Sequence, residues 1–431
     1  MADLKHLGAS DSSSSVTTGA VRRNTTVRTR SGLSTFSSLT VGPYRWLLSS
    51  TVSGTLGYQM QAIALGWLVY VVTGSAVALG LITSMQAICQ TGISPIGGVI
   101  ADRVERRTFI MIVRSPTIVV AVAVAYLVLT QRIAYFELVI AAAIFGLSFG
   151  LNGPARQALI AELVPGDLLL NAVSLLSAGM NLMRIVGPAL AGVLIGSIGV
   201  GGIYILLAML YCAVIVQLIP VPQLPVARTS VGRNVFADLR DGLDYSFQDP
   251  AIFGLLLLGS IPLFFAMPYA PLLPVFAETV WHAGAAGYGI LAAGPGVGGL
   301  IGALLVASLG KYPYKGRLML VSTIVLGLAL TAFGLSPSFL AAELALLVVG
   351  IASVIYSSLV SSLLQLNVPN DKRGRVMSFY QMSFGISGLS ALPVAALATA
   401  IGAPDAIALC GVLTAVTGVA IFVFRPDLMS L

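Results

Sequence analysis

The chain has 431 residues, of which 57% are hydrophobic and only 9% charged, and its mean hydropathy is +0.96. A soluble protein of this size carries about 25% charged residues, so most of this surface must face something other than water. The net charge of +7 does not mark a nucleic-acid binder, because the basic residues sit between apolar runs and not along one face. A membrane β-barrel is excluded too. Its strands alternate over about 10 residues, whereas these apolar runs continue for about twenty or more. The fold class expected is an all-α membrane protein.

Residues 1–42 are polar, with Ser12–Ser15 and Arg22, Arg23, Arg28 and Arg30, and hold no apolar core of a secretory signal. They are expected to be a disordered cytosolic tail. From there apolar runs predict helices near 44–72, 75–100, 108–130, 134–162, 168–197 and 201–220, an N-terminal bundle over 43–220. A polar linker, 221–250, follows Pro220 and contains Pro222 and Pro225. Within it Val235, Phe236, Leu239, Leu243 and Phe247 recur at helical spacing and predict an amphipathic helix on the inner membrane face. Six more helices are predicted near 251–280, 284–309, 316–335, 339–368, 372–401 and 404–424, making a C-terminal bundle over 251–425 before a short cytosolic end at 426–431. Each run can cross a hydrocarbon layer of about 30 Å, which gives twelve transmembrane helices in two six-helix bundles.

Basic residues orient the chain. With both termini cytoplasmic, all but four of the 23 lysines and arginines fall on the inner side. The exceptions are Arg132 in an outer loop and Arg114, Arg156 and Arg184 inside helices. The halves also repeat. Val164-Pro165-Gly166-Asp167 returns as Val368-Pro369-Asn370-Asp371, and Pro188 as Pro393. An offset of roughly 204–205 residues indicates two parallel copies of one bundle, a transporter plan.

Charge is densest between the second and third helices, where Asp102, Arg103, Glu105, Arg106 and Arg107 follow Gly98. The arginines can anchor this hairpin to anionic lipid. Alternatively the hairpin is a latch. A carboxylate from Asp102, or from Glu105, can meet the start of the eleventh helix at Asp371, Arg373 and Arg375, where free N–H groups favour an anion by about 0.3–1 kcal/mol.

Inside the helices, Arg184 stands out, since a charge at such depth costs at least about 2.5 kcal/mol. It is expected to face the interior, touching substrate or pairing with a carboxylate such as Glu162 or Glu137. Arg156, one turn after Asn152, is a second interior candidate, and Arg114 can snorkel inward. Gln59, Gln61, Gln86 and Gln90 suggest a polar cavity, and Tyr269, Tyr288, Tyr356 and Tyr380 stacking surface, although helix–helix hydrogen bonds account for each of them as well. Gly187, Pro188 and Gly192 permit close helix approach and a bend. Gly294–Gly299 lies in an apolar helix with no preceding strand, so it is not a nucleotide loop. Cys89, Cys212 and Cys410 lack metal or disulfide spacing. No cofactor or metal is implied, no nucleophile–base set appears, and an enzyme is not expected. Asp102, Glu137, Glu278 and Glu343, all near helix ends, remain as candidate proton carriers.

The twelve-helix plan, with Gly98-x-x-x-Asp102-Arg103-x-x-Arg106-Arg107 in that loop, resembles the major facilitator superfamily. Glu105 stands where the common loop motif has a glycine. Asn152-Gly153-Pro154-Ala155-Arg156-Gln157 and Asn181-Leu182-x-Arg184-x-x-Gly187-Pro188-Ala189-Leu190-Ala191-Gly192 look like the branch of transmembrane secretion effectors that includes enterobactin exporters and macrolide-efflux proteins. Gly187-Pro188-x-x-x-Gly192 resembles part of an antiporter motif, with Met183 where a further glycine is expected. The resemblance covers about 43–425. It implies a monomeric, proton-coupled exporter of a small organic molecule, siderophore-like or a drug, working by alternating access in the bacterial inner membrane. An uptake or lipid-type permease on the same fold and a non-transporting sensor or scaffold are the alternatives.

Overall fold

The computed structural model describes residues 34–101, 103–224, 250–308 and 314–424, and all regular structure among them is helical. The expected linker helix and most of the tail lie outside these residues. The N-terminal half contains α1 (Gly42–Thr73), α2 (Ala76–Ala101), α3 (Arg106–Leu129) and α4 (Tyr135–Leu163). Its last helical run, Gly166–Leu218, is broken at Gly199, and its arms are α5 (166–198) and α6 (200–218). In the C-terminal half, α7 comprises Pro250–Ala266, Tyr269–Val275 and a π turn, Phe276–Val280, and its apolar span is Ile252–Val280. It is followed by α8 (Gly284–Ser308), α9 (Lys315–Gly334) and α10 (Phe339–Asn367). Then come α11, which bends at Ser390 between Asn370–Leu389 and Ala391–Ile401, and α12 (Ala403–Phe424).

Helix ends fall within about two residues of those expected from the apolar runs. Ten described helices are long and apolar enough to cross a membrane, and Ser387–Ile401 is a shorter apolar one. The run Gly166–Leu218 counts as one of the ten at 53 residues, which at about 1.5 Å per residue would reach about 80 Å if straight. Gly199 breaks it with φ 70° and ψ 171°, a conformation that a side chain resists. Gly402, between α11 and α12, does the same with φ 93° and ψ 149°.

The repeat is visible in backbone angles. Pro165 before α5 has φ −53° and ψ 147°, and Pro369 before α11 has φ −53° and ψ 148°. Each proline carbonyl accepts from an N–H three residues on, Leu168 at 2.9 Å and Lys372 at 3.1 Å. The polar tail ends earlier than the expected residue 42. Ser34–Thr40 forms a 3-10 turn, Ser38 is buried with its N–H donating to Asn171 Oδ1 at 3.0 Å, and Leu39 and Val41 pack on the core.

Between apolar helices in lipid the hydrophobic effect gives little drive, so close packing at small residues holds the bundle. The end carrying Gly74, Gly199, Gly284 and Gly402 is called the first end, and that carrying Pro165 and Pro369 the second. At the first end a single core runs through both halves, from Leu65, Leu138 and Tyr204 to Phe276, Leu346 and Ile407. Toward the second end each half has its own. One centres on Tyr44, Ile110 and Leu159, the other on Leu255, Leu320 and Tyr356. The halves are fused at one end and part toward the other.

Candidate functional site

Where the shared core gives out, a cavity of about 330 Å³ lies between the halves. α1 contributes Tyr58 and Gln59, α2 Thr83, Gln86 and Gln90, α5 Pro188, α7 Tyr269 and Pro271, and α8 Tyr288 and Pro295. Amides, hydroxyls and rings line it, and no formally charged side chain does so among the described residues.

Local packing aims these groups inward. α4 presses on the α2 backbone here, because a Cβ on Gly146 would come 2.5 Å from the Gln86 carbonyl and one on Gly150 closer still to that of Gln90. Gln86 and Gln90, four residues apart, share one side of the helix and line the cavity together. Gly187 makes room for Gln59, whose Cβ would lie 2.6 Å from a side chain there. Pro188 then lines the cavity, and one turn on Gly192 meets α8, where a Cβ would come 2.6 Å from the Gly289 Cα. The first-end side is sealed by Trp67 stacked on Tyr288, with ring centres 6.3 Å apart, and by the rings of Phe276, Trp281, Phe333 and Phe339 beyond.

Of the candidates, Gln59, Gln86, Gln90 and Tyr269 come together in this lining, with Tyr288. Gln61 does not. It is fully buried inside the N-terminal half, and neither amide atom has a hydrogen-bond partner. Tyr380 and Tyr356 are buried in the C-terminal core, donating to the carbonyls of Ser357 at 3.4 Å and Leu258 at 2.5 Å. Arg184 is exposed, on the face of α5 that one turn later presents Pro188 to the cavity, and within electrostatic range of Tyr58. Asn152 and Arg156 lie deeper in α4, near Arg114 of α3. Tyr58 also lines the cavity, although in sequence it is one more aromatic in an apolar run.

At the hairpin, Glu105 is the cap of α3, accepting from the N–H groups of Arg107 at 3.0 Å and Thr108 at 2.7 Å. An anion is favoured there by the free amides and the helix dipole. Arg106 pairs with Glu162 of α4, which ties the hairpin to its own half and occupies one carboxylate expected near Arg184. Arg103 is exposed. Glu137 is engaged at the start of α4, accepting from the Ala134 N–H at 3.1 Å. Gly98 is in the last turns of α2. Asp102 and the side chains of Asp371, Arg373 and Arg375 lie outside the described residues.

Residues 33–429 match the family model of transmembrane secretion effectors. The chain belongs to that family. Among its relatives, the enterobactin exporter EntS of Citrobacter koseri is 30% identical over 307 residues, 70% of this chain and 69% of that one. Macrolide efflux protein A of Streptococcus pyogenes is 26% identical over 315 residues, covering 71% and 76%. Solved structures share the fold at lower identity. A POT family transporter with 5-aminolevulinic acid superposes with a TM-score of 0.71 at 14% identity, covering 89% of this chain and 96% of the other. A D-xylose-proton symporter gives 0.68 at 15%, covering 90% and 99%. This secretion effector is therefore a multi-pass transporter of the major facilitator superfamily in the bacterial inner membrane, and not an enzyme.

Proposed function

We propose that this secretion effector exports a small organic molecule, siderophore-like or a drug, by alternating access driven by protons. The observation that carries the proposal is the central cavity, closed at the first end by the Trp67–Tyr288 stack, with the halves parting toward the second. Its volume falls in the usual range for small organic ligands, about 300–1,000 Å³, and amides beside aromatic faces suit a ligand with rings and polar edges. The names of the enterobactin and macrolide relatives support the direction and the substrate class. On this reading α5, α6 and α11 are each a crossing, twelve in all, and the placement of lysines and arginines supports a cytoplasmic second end with both termini on that side.

Glu343 is the proposed proton carrier. Glu105 and Glu137 are engaged at helix starts, Glu162 is paired with Arg106, and Asp167, Glu278 and Asp405 are exposed. Glu343 is half-buried in α10 against Gly294 of α8, and its Oε2 is buried with no hydrogen-bond partner. An acid with an unpartnered oxygen inside a membrane helix marks a functional position. Asp102 remains the proposed latch toward the start of α11, since Glu105 is committed to α3.

Everted vesicles with an imposed proton gradient, offered a panel of siderophores and drugs, test the proposal. Uptake that collapses with the gradient is expected. Accumulation in right-side-out vesicles instead would assign an uptake permease.

A further inference from the structure

The halves follow one plan, and at one place the N-terminal half departs from it. α4 and α10 are each 29 residues, and Gly146 and Gly350 fall at the same point, against the backbones of α2 and α8. In that register Tyr356 stands where α4 has Asn152, and Val360 where it has Arg156. The C-terminal half seals the place. Tyr356 and Val360 are fully buried, and the tyrosine hydroxyl bonds to the Leu258 carbonyl.

The N-terminal half fills it with cations. Arg114, 6% exposed, enters from α3 with its guanidinium carbon 5.4 Å from the Tyr211 ring centre. Its Nη2 lies beneath Gly54 of α1, 3.2 Å from where a Cβ would be. The Nε atoms of Arg114 and Arg156 and the Nδ2 of Asn152 are buried without a hydrogen-bond partner. Among the described residues neither arginine meets a carboxylate. Two like charges at membrane depth, short of both an acid and acceptors, are costly to hold. Donors in this array are matched by a planar oxyanion, which guanidinium groups bind two bonds at a time. The place adjoins the cavity. One turn of α4 before Gly153, whose missing side chain would meet only open space, the Phe149 ring packs 4.2 Å from that of the cavity-lining Tyr58.

We propose that Arg114, Asn152 and Arg156 form an anion site that takes an acidic oxygen group, such as an aryl carboxylate, of the transported molecule. The nature of the anion rests on the transport proposal; the existence of the site does not. Full-length protein in neutral detergent is heated with salicylate, with uncharged salicylamide, or with added phosphatidylglycerol. Salicylate is expected to raise the unfolding midpoint by several degrees, and salicylamide not at all. A rise with the lipid alone would overturn the substrate role and assign the cluster to a headgroup phosphate.

Arg156→Val gives α4 the residue that α10 carries. Without anion it is expected to unfold above the wild type, because a half-buried charge with no acid partner is gone, and to lose the salicylate rise. Arg132→Gln, in an exposed loop, keeps the rise. If Arg156→Val does not fold, Asn152→Ala is expected to raise the half-saturating salicylate concentration about fivefold. No rise with salicylate in the wild type, or an undiminished one in Arg156→Val or Asn152→Ala, overturns the site.

Discussion

The N- and C-terminal halves agree in the 29-residue length of α4 and α10, in the angles at Pro165 and Pro369, and in the glycines through which α4 and α10 touch their neighbours. They disagree in what they bury. Among the described residues, every buried side-chain polar atom without a hydrogen-bond partner belongs to the N-terminal half, except the Oε2 of Glu343. The N-terminal half carries Arg114, Arg156 and Arg184 well inside its helices, and the C-terminal half holds Glu343, half-buried with an unpartnered oxygen, in α10. Backbone contacts in lipid demand small residues at fixed points, so both copies keep them. Interior side chains carry no such demand, and there the copies diverge. On the transport proposal this is a division of work, with positive charge in the N-terminal half and the proton carried by Glu343 in the C-terminal half.

Substitutions can break that division, beginning with the largest effect. Glu343→Gln should abolish gradient-driven export while leaving exchange of labelled for unlabelled substrate across the membrane intact. Loss of both would mean that Glu343 holds the fold or the substrate and not the proton. Gly146→Leu and Gly350→Leu test the equivalence of the halves. Each drives a side chain into a neighbouring backbone, and overpacking of this kind costs about 1–3 kcal/mol or more. Both variants should lose folded protein to a similar degree in size-exclusion profiles, and a defect in one alone would break the symmetry.

Gly192→Ala acts on the seam between the halves, where a Cβ would come 2.6 Å from the Gly289 Cα. It should favour the state open at the first end by about 1–3 kcal/mol, a population change of about 5- to 150-fold. Labelling of a cysteine placed at the cavity-lining Ala62 by an impermeant reagent at the first end measures this. The smallest effect belongs to the hairpin. Glu105→Ala should lower stability by about 0.5–2 kcal/mol through loss of the α3 cap and leave transport intact. Asp102→Asn should do the reverse, and normal transport by that variant would end the latch proposal.

Helix positions were legible in the sequence because lipid thickness imposes them, and a polar residue at each end marks where the hydrocarbon stops. Facing was less legible. On α2 the spacing of Gln86 and Gln90 by four residues is itself a statement of a shared face, and both line the cavity. On α1 the two glutamines are two residues apart, about 200° around the helix, so only one can face the cavity. Which one depends on Gly187 of α5, a neighbour that α1 alone does not reveal. Glu105 stands at the cap position before Arg106, but glutamate seldom takes that role, and in sequence its place beside Asp102 fits a latch equally well.

By itself, then, the sequence determined that this is a helical membrane protein built twice over, with most of its positive charge at one end, because composition, run length and repeat are properties of the chain alone. Tertiary structure decided which polar residues meet and which stay buried without partners. A helix that is apolar all round carries no mark of its inward side. That side is chosen only when Gly146, Gly187 and Gly192 let particular neighbours approach, leaving Gln59 in a cavity, Gln61 in the core, and the Nε atoms of Arg114 and Arg156 buried without partners.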